Sequence, residues 1–445
     1  MNKREFLKGS AAMLAVAATS RAGAAAAGKS APRTNWSGNY RYHAPQLFEP
    51  STVAEVQQAV RSATNVHALG SRHSFNGVAD SSVAQISMLK INDVQLDTQV
   101  HTVTVGAGIK YGDLARQLDQ RGYAVHNLAS LPHISVAGAV STATHGSGMK
   151  NGNLSSAVTG IEFVAADGSL HQLTRKDNPD VFPGAIVALG ALGIMTKVTL
   201  KVEPSFQMTQ VVYRNLSFSE LEHNLAAIMQ SAYSVSLFTN WQDHRCNQVW
   251  LKRRVDQGGA EKPPALFYNA TLATRKMHPI DDHPAEACTD QENKIGPWYE
   301  RLPHFRMNFT PSSGEEIQSE FFVPFEHGYE AIMAVETLRD QITPHLYASE
   351  FRTIAADDLW LSMAYQRPSL ALHFTWKREP EAVAKIVPQI EAKLAPFAVR
   401  PHWAKVFTMK TDPLYSRLND FKALAAKYDP QGKFRNDFVR KCLYE

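Results

Sequence analysis

The sequence predicts an α+β protein of two main domains followed by a C-terminal segment. Three observations carry this reading. A chain of 445 residues exceeds one ordinary domain. Strand-like and helix-like patterns alternate as far as residue 204. Beyond 205 the pattern loosens, with Pro-rich loops between 262 and 312 before strands and helices resume. The composition, 44% hydrophobic and 20% charged, suits a globular chain with a sizeable core. The formal charge of +4 is mild and forms no basic stripe, so no nucleic-acid partner is expected. No apolar stretch after the first thirty residues is long enough to span a bilayer, and no integral membrane association is expected.

Within the first domain, Thr52-Val-Ala-Glu55 reads as a capping box, with Val53, Val56, Val60 and Ala63 following at helical spacing. Val66 to Leu69 is a short apolar strand that ends in the glycine-led loop Gly70-Ser-Arg-His-Ser-Phe75. The strand Thr102 to Val105 runs into Gly106-Ala-Gly108 and then an amphipathic helix through Tyr111, Leu114 and Leu118. Ile161 to Ala165 and Met195 to Val202 are further strands, the second closed by Pro204. In the second domain, Glu320 to Val323 and Ala371 to Trp376 read as strands. Glu381 to Leu394 reads as a helix at the domain's edge, kinked at Pro388. The last forty residues carry a helix and the tail Tyr428 to Asn436.

The N-terminus reads as an export signal over residues 1–28. Lys3 and Arg4 form a positive region, Ala11 to Ala18 a short apolar core, and residues 21–28 a small-residue run with A-x-A-type cleavage sites. Lys3-Arg-Glu-Phe-Leu-Lys8 is similar to the twin-arginine motif, with Lys in place of the first Arg; a Sec signal or an uncleaved tail are the alternatives. The expected mature chain begins near Lys29 and is periplasmic or secreted. Cys246, Cys288 and Cys442 show no C-x-x-C spacing, so no zinc site is implied; one disulfide and three free thiols both remain open.

Two glycine-rich segments test nucleotide-binding templates. Gly106-Ala-Gly-Ile-Lys-Tyr-Gly112 lies between strand and helix, but its third glycine arrives one residue late for G-x-G-x-x-G, and no P-loop is present. The segment Ala129 to Gly148 is richer in small and hydroxylated residues. It lets backbone N–H groups and Ser or Thr hydroxyls approach an anion closely, a diphosphate above all. Ile134, Val136, Ala137 and Val140 are spaced to anchor this loop to a core.

Gly70-Ser-Arg-His-Ser-Phe75, Ser130-Leu-Pro-His-Ile-Ser-Val-Ala-Gly138 and Thr144-His-Gly-Ser-Gly148 together resemble the FAD-binding domain of the vanillyl-alcohol oxidase superfamily. Within it the match is closest to the bacterial alditol oxidases, relatives of the aldonolactone oxidases. The resemblance runs from Asn35 to Asn436. It implies a two-subdomain p-cresol methylhydroxylase-type FAD-binding domain over 29–204. A substrate (cap) domain would follow over 205–395, built on an antiparallel sheet with flanking helices. Residues 396–445 would return to the flavin site. In the family the histidine of G-S-x-H-S is bonded to the flavin 8α-methyl, and it corresponds to His73; the superfamily often has Gly where this chain has Arg72. The positions that hold FAD match Gly70, Ser71, Arg72, His73, Ser74, Ser130, Ser135, Gly138, Thr142, Ala143, Thr144, His145, Gly193 and Ile194.

In the second domain, Glu350-Phe-Arg352 and His373-Phe-Thr375 place polar side chains at alternate positions, hence on one strand face, where burial is costly without partners. Read from the residues alone, these are as well explained by a structural ion pair, a core histidine and, for Lys405, a surface lysine. The resemblance matches Glu350, Arg352, His373, Thr375, Lys405 and Ser130 to the positions that line the family's polyol pocket. It implies hydride transfer from a substrate carbinol to the flavin, with Arg352 and Lys405 stabilising the developing alkoxide. Glu350 and His373 would orient hydroxyls and either would accept the proton, while Ser130 and Thr375 would add neutral hydrogen bonds. The expected partners are a small polyol or sugar and O₂ or another electron acceptor; Ala129 stands in the loop expected beside the flavin ring, where side-chain size bears on oxygen access, but one methyl does not decide the acceptor. Rival readings are an aldonolactone oxidase or dehydrogenase, a zinc hydrolase on His278-Pro-Ile-Asp-Asp-His283, and a sugar-binding module without catalysis.

Overall fold

Thr52 starts the first helix as its capping box predicts. The Thr52 side chain accepts from the Glu55 N–H at 3.2 Å, and helix Val53–Ser62 buries Val56, Ala59 and Val60. The Glu55 carboxylate turns instead to Ser51, accepting its N–H at 2.7 Å and its hydroxyl at 3.0 Å, so the reciprocal half of the box is displaced by one residue. These are features of a computed structural model that describes residues 33–445; the expected export segment lies outside the described residues.

Strand Val66–Leu69 pairs in parallel with Ala84–Ser87, which pairs in parallel with Gln46–Phe48. A second sheet of five antiparallel strands runs in the order Val94–Asp97, Thr102–Gly106, Ile194–Lys201, Val158–Val164, Leu170–Thr174. Its inward residues, Val103, Val105, Val198 and Leu200, share one core with Val56, Val60 and Leu114. Gly106 and Gly108 are required by that packing. A Cβ on Gly108 would stand 1.9 Å from the Met88 carbonyl oxygen, and one on Gly106 2.5 Å from that of Ile91. The small-residue segment is not all loop: Val136–Ser141 forms a short helix, with Val136, Ala139 and Val140 buried as anchors.

The second half is built on a ten-stranded sheet. Its central strands run Arg245–Arg254, Ser234–Thr239, Leu346–Ile354, Ser369–Lys377, Glu316–Pro324, each antiparallel to its neighbour. Alternation divides the two faces. Leu370, Leu372, Phe374 and Trp376 enter a core with helices Phe218–Gln230, Gly328–Glu336 and Pro380–Leu394. His373 and Thr375 point the other way. The last of these helices runs through Pro388. The strand expected from Glu320 begins at Glu316, because its first residues also alternate.

The C-terminal segment closes on both halves. His402 N–H donates to the Glu320 carbonyl at 2.9 Å, while Phe75 N–H donates to the Ala404 carbonyl at 2.7 Å. Helices Leu418–Tyr428 and Asp437–Leu443 then pack into the first core. All three cysteines are buried and free.

Candidate active site

Strand Val66–Leu69 delivers the chain to Gly70, where two serines lock two segments together. Ser71 N–H donates to the Ser135 hydroxyl at 3.3 Å, and Ser135 N–H donates to the Ser71 hydroxyl at 3.0 Å. A Cβ on Gly70 would come within 2.3 Å of Ser135 Oγ, and one on Gly138 within 2.9 Å. Glycine at both positions is what lets the segments meet. Arg72 follows at φ 65, in the left-handed region that glycine favours. It is held there by Trp36 N–H, which donates to its carbonyl at 2.8 Å, while its exposed guanidinium reaches the Thr34 carbonyl at 3.4 Å.

His73 stacks on Trp36 with ring centroids 5.2 Å apart. Its Nδ1 lies 3.1 Å from the Ser71 carbonyl and 3.2 Å from the Ser71 hydroxyl. Its Nε2 is buried without a partner among the described residues. Burial, with His133 and Lys405 nearby, draws the pKa down to about 3, so the ring is neutral.

One cavity runs from this loop to the polar face of the large sheet. Of the residues expected to hold FAD, all line it except Ala143 and Ile194. Ala143, at φ 53, turns its methyl into the core, and Ile194 opens a strand paired with Val164 and is likewise fully buried. The wall fits the cofactor. Two buried imidazole nitrogens in it, His67 Nε2 and His73 Nε2, lack any partner among the described residues, and the backbone is stripped of side chains at Gly70 and Gly138.

At the other end, strand register places Glu320, His373 and Glu350 directly opposite one another, with Gln318 beside Thr375. Arg352 joins them. Its Nη2 donates to Glu320 Oε1 at 2.8 Å, its Nη1 to the Ser130 hydroxyl at 3.1 Å, and its Nε lies 3.5 Å from Glu350 Oε1. Glu320 also meets His145 Nε2 at 3.1 Å and His373 Nδ1 at 3.5 Å. Burial alone would raise the Glu320 pKa, but His145, Arg352 and His373 outweigh it and hold the carboxylate well below its usual range. Glu350 behaves likewise: burial is overcome by Arg352 and by His304, whose Nε2 is 2.8 Å away. His373 is lowered mainly by burial and is neutral, its Nε2 3.2 Å from the Thr375 hydroxyl. Lys405 bonds through Nζ to Gln318 Oε1 and lies 4.8 Å from the Phe75 ring centre; burial draws its pKa to about 8.

All six expected substrate-site residues therefore converge. Glu320 and Gln318 escaped the sequence reading although Glu316-Ile-Gln-Ser-Glu320 shows the same alternation. His304, arriving from a long loop, carried no such signal. His145 spends its ring on Glu320 and cannot serve a cofactor through Nε2. Glu320, His145 and His402 form a group spaced for a metal ion, but the Arg352 guanidinium already supplies the cation there. His278 accepts from the Ile280 N–H and so braces its own turn, while Pro279 and Ile280 form cavity wall.

Two family models match the chain: an FAD binding domain over residues 44–174, and D-arabinono-1,4-lactone oxidase over 304–442. An alditol oxidase of Streptomyces sp. (strain IKD472) is 45% identical over 418 residues, covering 92% of this chain and 98% of that one. The chain belongs to the alditol oxidase family. Family membership and the matched domain make it an FAD-dependent oxidoreductase acting on CH–OH groups. L-gulonolactone oxidase of Mus musculus, 27% identical over 442 residues with 92% and 98% covered, lies on a more distant branch of the same lineage. The family fold extends further: the crystal structure of a cholesterol oxidase from B. sterolicum superposes with a TM-score of 0.72 at 14% identity, covering 93% of this chain and 96% of that one.

Glu320→Gln removes half the compensation for a buried guanidinium and is expected to cost roughly 3 kcal/mol at pH 7. Because the Glu320 pKa is depressed on folding, the stabilisation is complete above the unfolded value of about 4.3 and fades as the pH falls below it. Denaturant unfolding of both proteins from pH 7 to pH 3 should show the gap narrowing with acid; a gap that stays constant refutes the ion-pair account.

Proposed function

We propose that the protein oxidises the terminal hydroxyl of a small polyol to an aldehyde, with O₂ as the final electron acceptor and H₂O₂ as its product. The observation that carries this is the convergence of Ser130, Glu350, Arg352, His373, Thr375 and Lys405 in the cavity that also receives the FAD-binding wall. When bound, FAD supplies the hydride acceptor. The polypeptide manages the rest: it must bind a chain of hydroxyls, stabilise negative charge on the reacting oxygen and accept one proton.

Arg352 and Lys405 are the cations for the developing alkoxide. Arg352 is charged at every working pH, since Glu350 and Glu320 raise its pKa against the opposing effect of burial. Glu350 is too strongly stabilised as a carboxylate to take the proton, and it serves as an acceptor for substrate hydroxyls. His373 is the better base: it is neutral, it faces the site, and Glu320 behind its Nδ1 favours the imidazolium it becomes. Of the two groups expected to accept the proton, this reading keeps one. The family model for D-arabinono-1,4-lactone oxidase favours a lactone as the second reading. Rates with xylitol, sorbitol and galactonolactone decide between them.

We also propose that FAD is held covalently through His73. The neutral ring keeps an unprotonated nitrogen at any physiological pH, Trp36 and Ser71 fix its plane, and one buried nitrogen has no protein partner among the described residues. Residues 1–28 we assign to export on their sequence pattern.

Three measurements follow. Lys405→Ala should slow flavin reduction by about 10²–10³-fold with flavin still bound. In the wild type the Lys405 charge is present below pH about 8 and lost above it, so reduction should slow through that pH, and Lys405→Arg should abolish the decline. A rate that instead rises through pH 8 would make Lys405 the base. Acid-precipitated wild type should keep its yellow colour in the pellet, and His73→Ala should release it to the supernatant; colour retained by the variant contradicts the covalent assignment. Protein recovered from the periplasm or medium should begin near Lys29, and an intact Met1 there would remove the export proposal.

A further inference from the structure

Lys252 lies on the strand Arg245–Arg254 with 1% exposure, and the reaction as described makes no use of it. It is not among the residues that line the cavity. A buried ammonium without partners is strongly disfavoured, so its contacts report what keeps it. Among the described residues they are three: the Leu302 carbonyl, the Pro303 carbonyl at 3.1 Å, and His304 Nδ1 at 3.0 Å. An ammonium has three N–H donors and no lone pair. His304 Nδ1 must therefore accept, which leaves the proton of the neutral ring on Nε2. That N–H faces Glu350 Oε1 at 2.8 Å. The contact from Arg352 Nε falls on the same oxygen, so Glu350 Oε2 is left to the cavity.

We propose that Lys252 is a positioning residue for the oxidation. It locks His304 in the Nε2–H tautomer, and His304 in turn holds Glu350, ionised beside Arg352, turned so that its second oxygen receives substrate hydroxyls. The logic is that of an acid–histidine dyad reversed in sign: a cation, in place of a carboxylate, sets which ring nitrogen donates. The inference rests on the reading of Glu350 as a substrate-binding group.

The groups facing Lys252 are His304, Glu350 and Arg352 on the side of the site, with Cys288 and Arg301 on the side of the loops. The Trp250 ring lies 6.0 Å from its Nζ. Burial draws the Lys252 pKa to about 7 against the pull of Glu350. As the pH rises through that value the amine loses one donor and gains a lone pair, and His304 is free to change tautomer. The lock is complete below it.

The test uses the full-length, flavin-loaded protein as wild type, Lys252→Met, His304→Gln and His304→Leu, with KM and kcat for xylitol measured from pH 6 to pH 9. The wild-type KM should rise through pH 7. Lys252→Met should raise KM about tenfold at pH 6, the size of a lost hydrogen bond to a charged group, and leave no rise through pH 7. Gln offers a carbonyl to Lys252 and an N–H to Glu350 without a tautomer to switch. His304→Gln should keep the wild-type KM at pH 6 and lose the pH dependence, whereas His304→Leu, of similar bulk, should behave like Lys252→Met. Wild-type KM and profile in Lys252→Met, or identical behaviour of the Gln and Leu variants, overturns the proposal. If Lys252→Met does not fold, the position-304 pair decides alone. Nitrogen-15 NMR of the histidine rings at pH 6 supplies a readout without substrate: the resonances that His304→Gln removes should report the Nε2–H tautomer in the wild type and a mixture of both tautomers in Lys252→Met. An unchanged Nε2–H tautomer in Lys252→Met overturns the relay, whereas failure of the wild type to oxidise any polyol strikes only the functional reading.

Discussion

Arg352 stands between two buried carboxylates, and the substrate end of the molecule is organised around satisfying it. Each of these ions costs several kcal/mol to desolvate, which only close pairing and further hydrogen bonds offset. Glu320 at 2.8 Å and Glu350 at 3.5 Å supply the pairing, and Ser130, His145 and His304 take up remaining donors and acceptors. The consequences spread outward. Burial keeps His373 neutral and free to receive a proton, and Lys405 is left as the second cation, tied among the described residues to a neutral partner, Gln318.

The same segment that brings Lys405 also ties the two halves of the site together. Phe75 donates its N–H to Ala404, and the Asn76 amide donates to the carbonyls of Trp403 at 2.8 Å and Lys405 at 2.7 Å. The loop bearing His73 and the segment bearing Lys405 are therefore hydrogen-bonded to each other directly. On the other side, Ser71 and Ser135 join that loop to the small-residue segment. The cofactor wall and the substrate face are held in register by hydrogen bonds within the polypeptide itself. Arg72 shows the strength of this bracing: a long side chain occupies a left-handed position at a cost of about 1–2 kcal/mol because its carbonyl is pinned by Trp36.

The amino-acid sequence by itself determined which segments become strands and helices near the site and which residue types gather there. Short-range physics suffices for that: the Thr52 cap, the apolar run Val66–Leu69, and the period-two alternation at Glu350/Arg352 and His373/Thr375 are read within a few residues. The motif match located the loop of His73 and the wall around Ser135 and Gly138. Only the tertiary structure decided which polar groups face each other. Glu320 became the hub through strand order, since Glu316–Pro324 pairs with Ser369–Lys377 across a sheet whose neighbours are not consecutive in the chain. Lys252 and His304 entered because a strand and a distant loop meet beneath Glu350. Their protonation states follow from burial and from neighbours tens to hundreds of residues away, information that no local pattern contains.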